Sequence, residues 1–284
     1  MTSPRWACMD GRYVREDKAV VPVLDRGLML GDGIFETVRV KDGLPEFFED
    51  HFRRLTESAR LVRMRMPWTF EVLEAQCAEV CRRSGLRDAS VRLTATRGDY
   101  RGTLSDTGDA PRLIVTCASA AHLGPELYKK GVAVSIASFP KVHAIDPRVK
   151  ATAYLPAVLA RLEADEQKCY ESMFLDGRGR ILELSTANFF AVRDGQILTP
   201  ALRLGILEGV TRKAVLRLGK SLGLRCREAV MRPADLEGWQ EAFLTSAVRG
   251  IIPIVKLGGR RVGSGRPGEI TRKLMTAFGA ETGR

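Results

Sequence analysis

The 284-residue chain has no apolar run near the roughly 18 residues that a membrane span requires. Its longest apolar stretches, Val20–Leu24 and Gly250–Val255, are only strand length. The opening residues, MTSPRWACMDGRY, contain no apolar signal core, so a cytoplasmic protein without a membrane partner is expected. Histidine is scarce: His51, His122 and His143 are far apart and show no ligand spacing. None of the six cysteines forms a CxxC pair, and no histidine lies near Cys77 and Cys81 to complete a zinc site. The cysteines read as reduced, packed thiols, and no metal is expected. A GxSxG nucleophile elbow is also missing.

Ordinary globular composition is present, with 45% hydrophobic and 28% charged residues, which excludes collagen-like, disordered and coiled-coil classes. The one unusual number is a net charge of +11, from 45 basic and 34 acidic residues. A basic balance invites a nucleic-acid partner. Here the basic residues are scattered, as in Arg82-Arg83, Lys129-Lys130 and Arg260-Arg261, and no run of five or more marks a tail. Nucleic-acid binding therefore stays a remote alternative. Two phosphate-loop motifs fail on context. Gly263–Gly268 satisfies GxGxxG, but no βαβ unit or ribose-binding acid follows it. Gly219-Lys220-Ser221 resembles the end of a P-loop, but Ala214 stands where its first glycine belongs.

At roughly 150 residues per domain the length suggests about two domains, or one large one. Residues 1–117 read as an α+β domain. It has strands at Val20–Leu24, Ile34–Lys41, Ser90–Thr96 and Arg112–Cys117, a turn at Gly31–Gly33, and helices at Phe47–Val62 and Trp68–Ser84. Residues 118–126 are small, polar and Pro/Gly-bearing, and are expected to be the linker. Residues 127–284 read as a larger mixed α/β domain. Its strands begin with Val132–Ile136 and continue at Ser172–Leu175, Phe189–Val192, Gln196–Thr199, Ala242–Thr245 and Ile251–Lys256. Its helices are expected at Ala153–Gln167, with Leu155, Val158, Leu159 and Leu162 inward, at Thr211–Leu222, and at Ile270–Phe278.

Two constellations carry chemistry. Gly209-Val210-Thr211 opens a helix, where a close-approaching backbone, free first-turn N–H groups and the helix dipole attract an anion. Lys150 precedes another helix, with Tyr154 four residues on, and Glu183 lies between Leu182 and Leu184 in a strand. A buried carboxylate needs a charged partner or a proton; the plainer alternative is an edge strand with the glutamate facing water.

These segments resemble, in order and spacing, the class IV, or fold type IV, pyridoxal-phosphate enzymes. That family includes branched-chain and D-amino-acid aminotransferases and aminodeoxychorismate lyases. The matching segments are Asp25-Arg26-Gly27, Gly31–Glu36, His51–Leu55, Lys150, Glu183–Phe190, Thr199-Pro200, Gly209–Arg212 and Phe243–Ser246. The resemblance implies a two-domain fold with pyridoxal 5'-phosphate between the domains, and a homodimer. It implies Lys150 as the Schiff-base lysine that then moves the Cα proton, with Lys141 as its competitor. Glu183 would face the ring nitrogen, Tyr154 the phenolic oxygen, and Arg54 the phosphate. Val210 and Thr211 would add phosphate donors, and Leu207 would pack on the ring. Ala247 stands where many aminotransferase relatives have a phosphate-binding threonine, and Ser246 is the available substitute. Arg101, then Arg97, are candidates for the substrate carboxylate, and Phe35 is a further candidate for contact with the substrate. Transamination between an amino donor and a 2-keto acid is favoured by Tyr154. The alternative, 4-amino-4-deoxychorismate lyase releasing pyruvate to give 4-aminobenzoate, is favoured by Val248-Arg249-Gly250 and Gly33–Thr37.

Overall fold

A computed structural model describes residues 5–108, 110–120, 124–142 and 145–283. Residues 121–123 of the expected linker, with His122, and His143 lie outside them. The contacts divide the chain into two units, Met1–His122 with Val149–Ala153, and Leu123–Arg148 with Tyr154–Arg284.

The first unit begins with a hairpin, β1 (Trp6–Met9) and β2 (Arg12–Arg15). Its turn, Asp10-Gly11, has both residues at positive φ, 49° and 83°, the combination that matches strand twist. A short helix α1 (Arg26–Leu30) follows, then β3 (Gly33–Lys41), β4 (Leu44–Pro45), α2 (Phe48–Leu61), α3 (Phe70–Arg83), β5 (Asp88–Thr96) and β6 (Arg112–Ser119). The strands form one antiparallel sheet in the order β2-β1-β6-β5-β3-β4. Its inner face carries Val38, Val91, Leu93 and Val115 against Leu55 of α2 and Leu73, Cys77 and Val80 of α3. The alternation in β5 is therefore that of a half-buried strand. Val20–Leu24, expected as a strand, is irregular and exposed: Pro22 removes a ladder donor, and Val20 is 79% accessible. The expected turn at Gly31–Gly33 instead ends α1, with Gly31 in the left-handed conformation at φ 66°.

The second unit contains α4 (Glu126–Lys130), β7 (Val132–Ile136), α5 (Leu155–Glu166), β8 (Glu171–Leu175), β9 (Ile181–Leu184), β10 (Asn188–Arg193) and β11 (Gln196–Pro200). It continues with α6 (Val210–Ser221), β12 (Cys226–Ala229), β13 (Glu241–Ser246), β14 (Gly250–Leu257), β15 (Arg260–Arg261) and α7 (Glu269–Thr282). The sheet is mixed, in the order β12-β11-β10-β13-β14-β7-β8-β9, with β15 on β14. It curls so that β9 approaches β10, where the Leu184 N–H donates to the Ala187 carbonyl. The central strands are buried on both faces, which explains their nearly continuous apolar runs. Phe189, Leu244 and Ile252 fill one face. On the other, Phe190 and Phe243 stack at 4.8 Å, and α6 and α7 pack over β13.

Helix α5 reverses the expected orientation. Its buried residues are Ala160 and Ala164, while Leu155, Val158, Leu159 and Leu162 are 67, 49, 47 and 55% exposed. Small alanines let the helix lie close to β7 and β8 and leave the leucine face outward. The six cysteines carry free thiols, four of them buried. Among the described residues no helix is long and apolar enough to cross a membrane.

Candidate active site

In the first unit, Lys150 lies in a short segment running against the start of β3. The Phe35 N–H donates to the Lys150 carbonyl at 2.9 Å, and the Thr152 N–H donates to the Gly33 carbonyl at 2.9 Å. The Lys150 N–H donates to Ser58 Oγ of α2 at 3.3 Å. The lysine backbone is thus fixed to the sheet, and its Nζ lies 4.5 Å from the Phe35 ring centroid. Arg92 stacks on the same ring at 3.6 Å. Register explains this: Phe35 pairs with Thr94 and Thr37 with Arg92, so the side chains of Phe35 and Arg92 share one face. Sequence reasoning missed Arg92, because a polar residue alternating with Val91 and Leu93 reads as a solvated face.

The opposite face of β3 carries Glu36, fully buried against α2. Arg54 Nε and Nη2 each donate to one Glu36 oxygen at 2.7 Å, and His51 Nδ1 lies 2.7 Å from Oε2. Burial alone would push the Glu36 carboxyl up, but the Arg54 guanidinium and then His51 hold it well below the usual carboxylate range. The forked edge of Arg54 is therefore committed to Glu36, which fixes the plane of the guanidinium. Of the two candidate anchors, Arg97 donates to Asp32 and to the Val62 and Arg63 carbonyls, which ties it into the fold. Arg101 is exposed.

In the second unit, Glu183 of β9 is buried, as its apolar neighbours require. One oxygen accepts from Lys141. The other accepts from Asn188 Nδ2 at 3.3 Å and from the Leu207 N–H at 3.1 Å. Asn188 also donates to the Leu207 carbonyl at 2.9 Å, so one amide ties the carboxylate to the segment leading into α6. At Gly209 a Cβ would collide with Asn188 Oδ1, so only glycine permits this approach. The N-cap of α6 is Gly209, which has no side chain to take the first-turn N–H groups of Val210 and Thr211. Thr245 faces Asn188 across the β10–β13 pair, and its buried hydroxyl has no hydrogen-bond partner among the described residues. Ser246 follows, its Oγ accepting from Arg249 Nε at 2.9 Å, with Ala247 next in the half-buried turn. Tyr154 is half-buried at the N-cap of α5. Sequence reasoning had not placed Lys141 on Glu183, nor given Asn188 or Thr245 a role.

A carboxylate held by an amide and an ammonium, beside an uncapped helix start, suits a group with a basic ring nitrogen and a phosphate. The comparisons decide between such groups. The profile of the family described as amino-transferase class IV matches residues 33–257. The chain belongs to the class IV aminotransferases. It is 34% identical over 277 residues to a putative branched-chain-amino-acid aminotransferase of Methanocaldococcus jannaschii, covering 95% of this chain and 94% of that one. It is 31% identical to the branched-chain-amino-acid aminotransferase of Escherichia coli K12, covering 95% and 90%. A crystal structure of the T.th. branched-chain amino acid aminotransferase with pyridoxamine 5'-phosphate superposes with a TM-score of 0.92 at 28% identity, over 100% of this chain and 96% of that one. This aminotransferase therefore has fold type IV and uses pyridoxal 5'-phosphate. The buried Thr245 hydroxyl, the uncapped α6 start and the Gly209 cradle fit that cofactor.

Proposed function

We propose that this aminotransferase exchanges the amino group of an aliphatic amino acid with a 2-keto acid, with Lys150 as its catalytic lysine. The observation that carries the substrate class is the alignment of nearly the whole chain with branched-chain-amino-acid aminotransferases at 31–34% identity. The local chemistry agrees with it. Phe35 gives an aliphatic side chain an apolar ring beside the lysine, and Arg92 gives a carboxylate a cation at the same ring. Arg101 is the further carboxylate anchor, supported by its exposure in the 97–102 loop.

When bound, pyridoxal phosphate supplies an aldehyde for amines and a ring that takes up the electrons released at Cα. Lys150 Nζ carries the cofactor and then moves the proton off the substrate's Cα; its backbone hydrogen bonds to β3 and α2 limit how far that amine wanders. Glu183 would hold the proton on the ring nitrogen, its own carboxylate held by Asn188 and the Leu207 N–H. Tyr154 would donate to the phenolic oxygen. The N–H groups of Val210 and Thr211, the Thr211 hydroxyl, the Arg54 guanidinium and the Ser246–Ala247 turn would hold the phosphate, and Leu207 would pack on the ring.

The working form is a homodimer in the cytoplasm. Four outward apolar residues at helical spacing on α5 form a surface that a second copy would bury, and six free thiols suit a reducing compartment. The test is a donor panel, read by loss of the absorbance of the lysine-bound cofactor. L-leucine, L-isoleucine and L-valine are expected to bleach it. A response to D-alanine alone would overturn the substrate class, and pyruvate release from aminodeoxychorismate without any bleaching would overturn transamination.

A further inference from the structure

A second buried ion pair of the second unit has no part in the chemistry above. Glu171, at the start of β8, is fully buried and pairs with Arg249 Nη1 at 3.0 Å. Glu171 also accepts from the hydroxyls of Ser185 and Thr186, which connect β9 to β10 two and three residues after Glu183. The Arg249 side chain is 14% exposed and spends its remaining donors locally. Nε donates to Ser246 Oγ at 2.9 Å, and Nη2 donates to the Thr186 carbonyl at 3.2 Å and to its hydroxyl. The Arg249 carbonyl accepts from Tyr128 Oη at 2.9 Å. One side chain thus ties the β13–β14 turn to β8 and to the β9–β10 connection, while a tyrosine holds its backbone.

That turn comes directly after Thr245, which faces Asn188, which in turn reaches the segment opening α6. The turn therefore lies at the end of the sheet where the phosphate donors gather. Alanine at 247 has no hydroxyl to bring to a phosphate, so what the turn offers is its backbone and Ser246; the Ser246–Gly250 pairing closes the turn, and Arg249 adds ties from outside the hairpin. We propose that Arg249, clamped by Glu171, is a positioning residue that holds the Ser246–Val248 turn in the conformation that binds the phosphate of pyridoxal phosphate. This rests on the cofactor-site assignment made under Proposed function. An arginine is required because only its fork reaches the carboxylate, Ser246 and Thr186 at once; lysine offers a single point.

The experiment strips the holoenzyme of cofactor and measures Kd for pyridoxal phosphate and for pyridoxal, which lacks the phosphate, by equilibrium dialysis. It compares the wild type with Arg249→Met, Arg249→Lys and the double variant Glu171→Met/Arg249→Met. A single methionine leaves Glu171 buried without its cation; the double variant removes both charges and serves if the single one does not fold. Arg249→Met is expected to weaken pyridoxal phosphate about ten-fold or more, the scale of a hydrogen bond to a charged group, and to change pyridoxal less than about two-fold. Arg249→Lys should recover part of that loss. Equal weakening of both ligands in the folded variants would mean a merely structural pair, and an unchanged affinity for pyridoxal phosphate would equally overturn the inference. If the wild type itself fails to prefer pyridoxal phosphate to pyridoxal, the cofactor-site assignment is what fails, and the inference falls with it.

Discussion

Replacing Glu36 by glutamine tests how the first unit holds Arg54. Glutamine keeps the shape of the side chain but removes its charge and turns an NH2 group toward the guanidinium or the imidazole. Glu36 is fully buried, and both of its oxygens are engaged by Arg54 and His51. Removing one partner of a buried pair costs about 3–5 kcal/mol, because it leaves the other charge uncompensated. Arg54 is 13% exposed, so water screens part of that charge and the lower value of about 3 kcal/mol applies. At roughly 2–4 °C per kcal/mol for units of this size, Tm should fall by about 6–12 °C. The assay is thermal unfolding of the cofactor-free protein, followed by circular dichroism from neutral to acid pH. The sign follows from Glu36 being held below its ordinary value. Its contribution is complete above the unfolded carboxyl pKa of about 4.3 and is lost progressively as the pH falls toward the folded value. The gap between wild type and Glu36→Gln should therefore stay constant from pH 8 to 5 and narrow progressively below about pH 4. A gap under about 2 °C at neutral pH, or one that does not narrow in acid, would refute the assignment of this pair as a buried support.

Two further outcomes follow from the second unit. Gly209→Ala drives a Cβ into Asn188 Oδ1. It should displace the amide that serves both Glu183 and Leu207 and weaken pyridoxal phosphate about ten-fold or more in equilibrium dialysis; an unchanged affinity would remove Asn188 from the site. Leu159→Glu places a charge in the exposed apolar face of α5. If the proposed dimer buries this face, light scattering should report a dimer for the wild type and a monomer for the variant; a variant that stays as large as the wild type would place the subunit contact elsewhere.

Most elements were legible because they combine a clean period with a strong end signal. Helix α3 shows its face in Leu73, Cys77 and Val80, and Thr69 caps it by accepting from the Val72 N–H. The β1–β2 hairpin was missed although Asp10-Gly11 is a strong turn signal, because Trp6–Met9 and Arg12–Arg15 are only four residues each. Val20–Leu24 and α5 misled for one reason: apolar residues read as core when they remain exposed on a single chain. In the candidate site, Lys150, Glu183 and Gly209–Thr211 were visible as residue types in a family order. Their supports were not, because each depends on a distant partner: Glu36 on a helix 15 to 18 residues away, Glu183 on Lys141, and Glu171 on Arg249 at a separation of 78.

The central claim is that Lys150 carries the cofactor. Lys141 is its rival, and its amine is already ion-paired with Glu183. Reducing the holoenzyme with borohydride and mapping the labelled peptide compares the two directly. The pyridoxyl group is predicted on Lys150; a label on Lys141, or no label in a protein that has bound pyridoxal phosphate, would contradict the account.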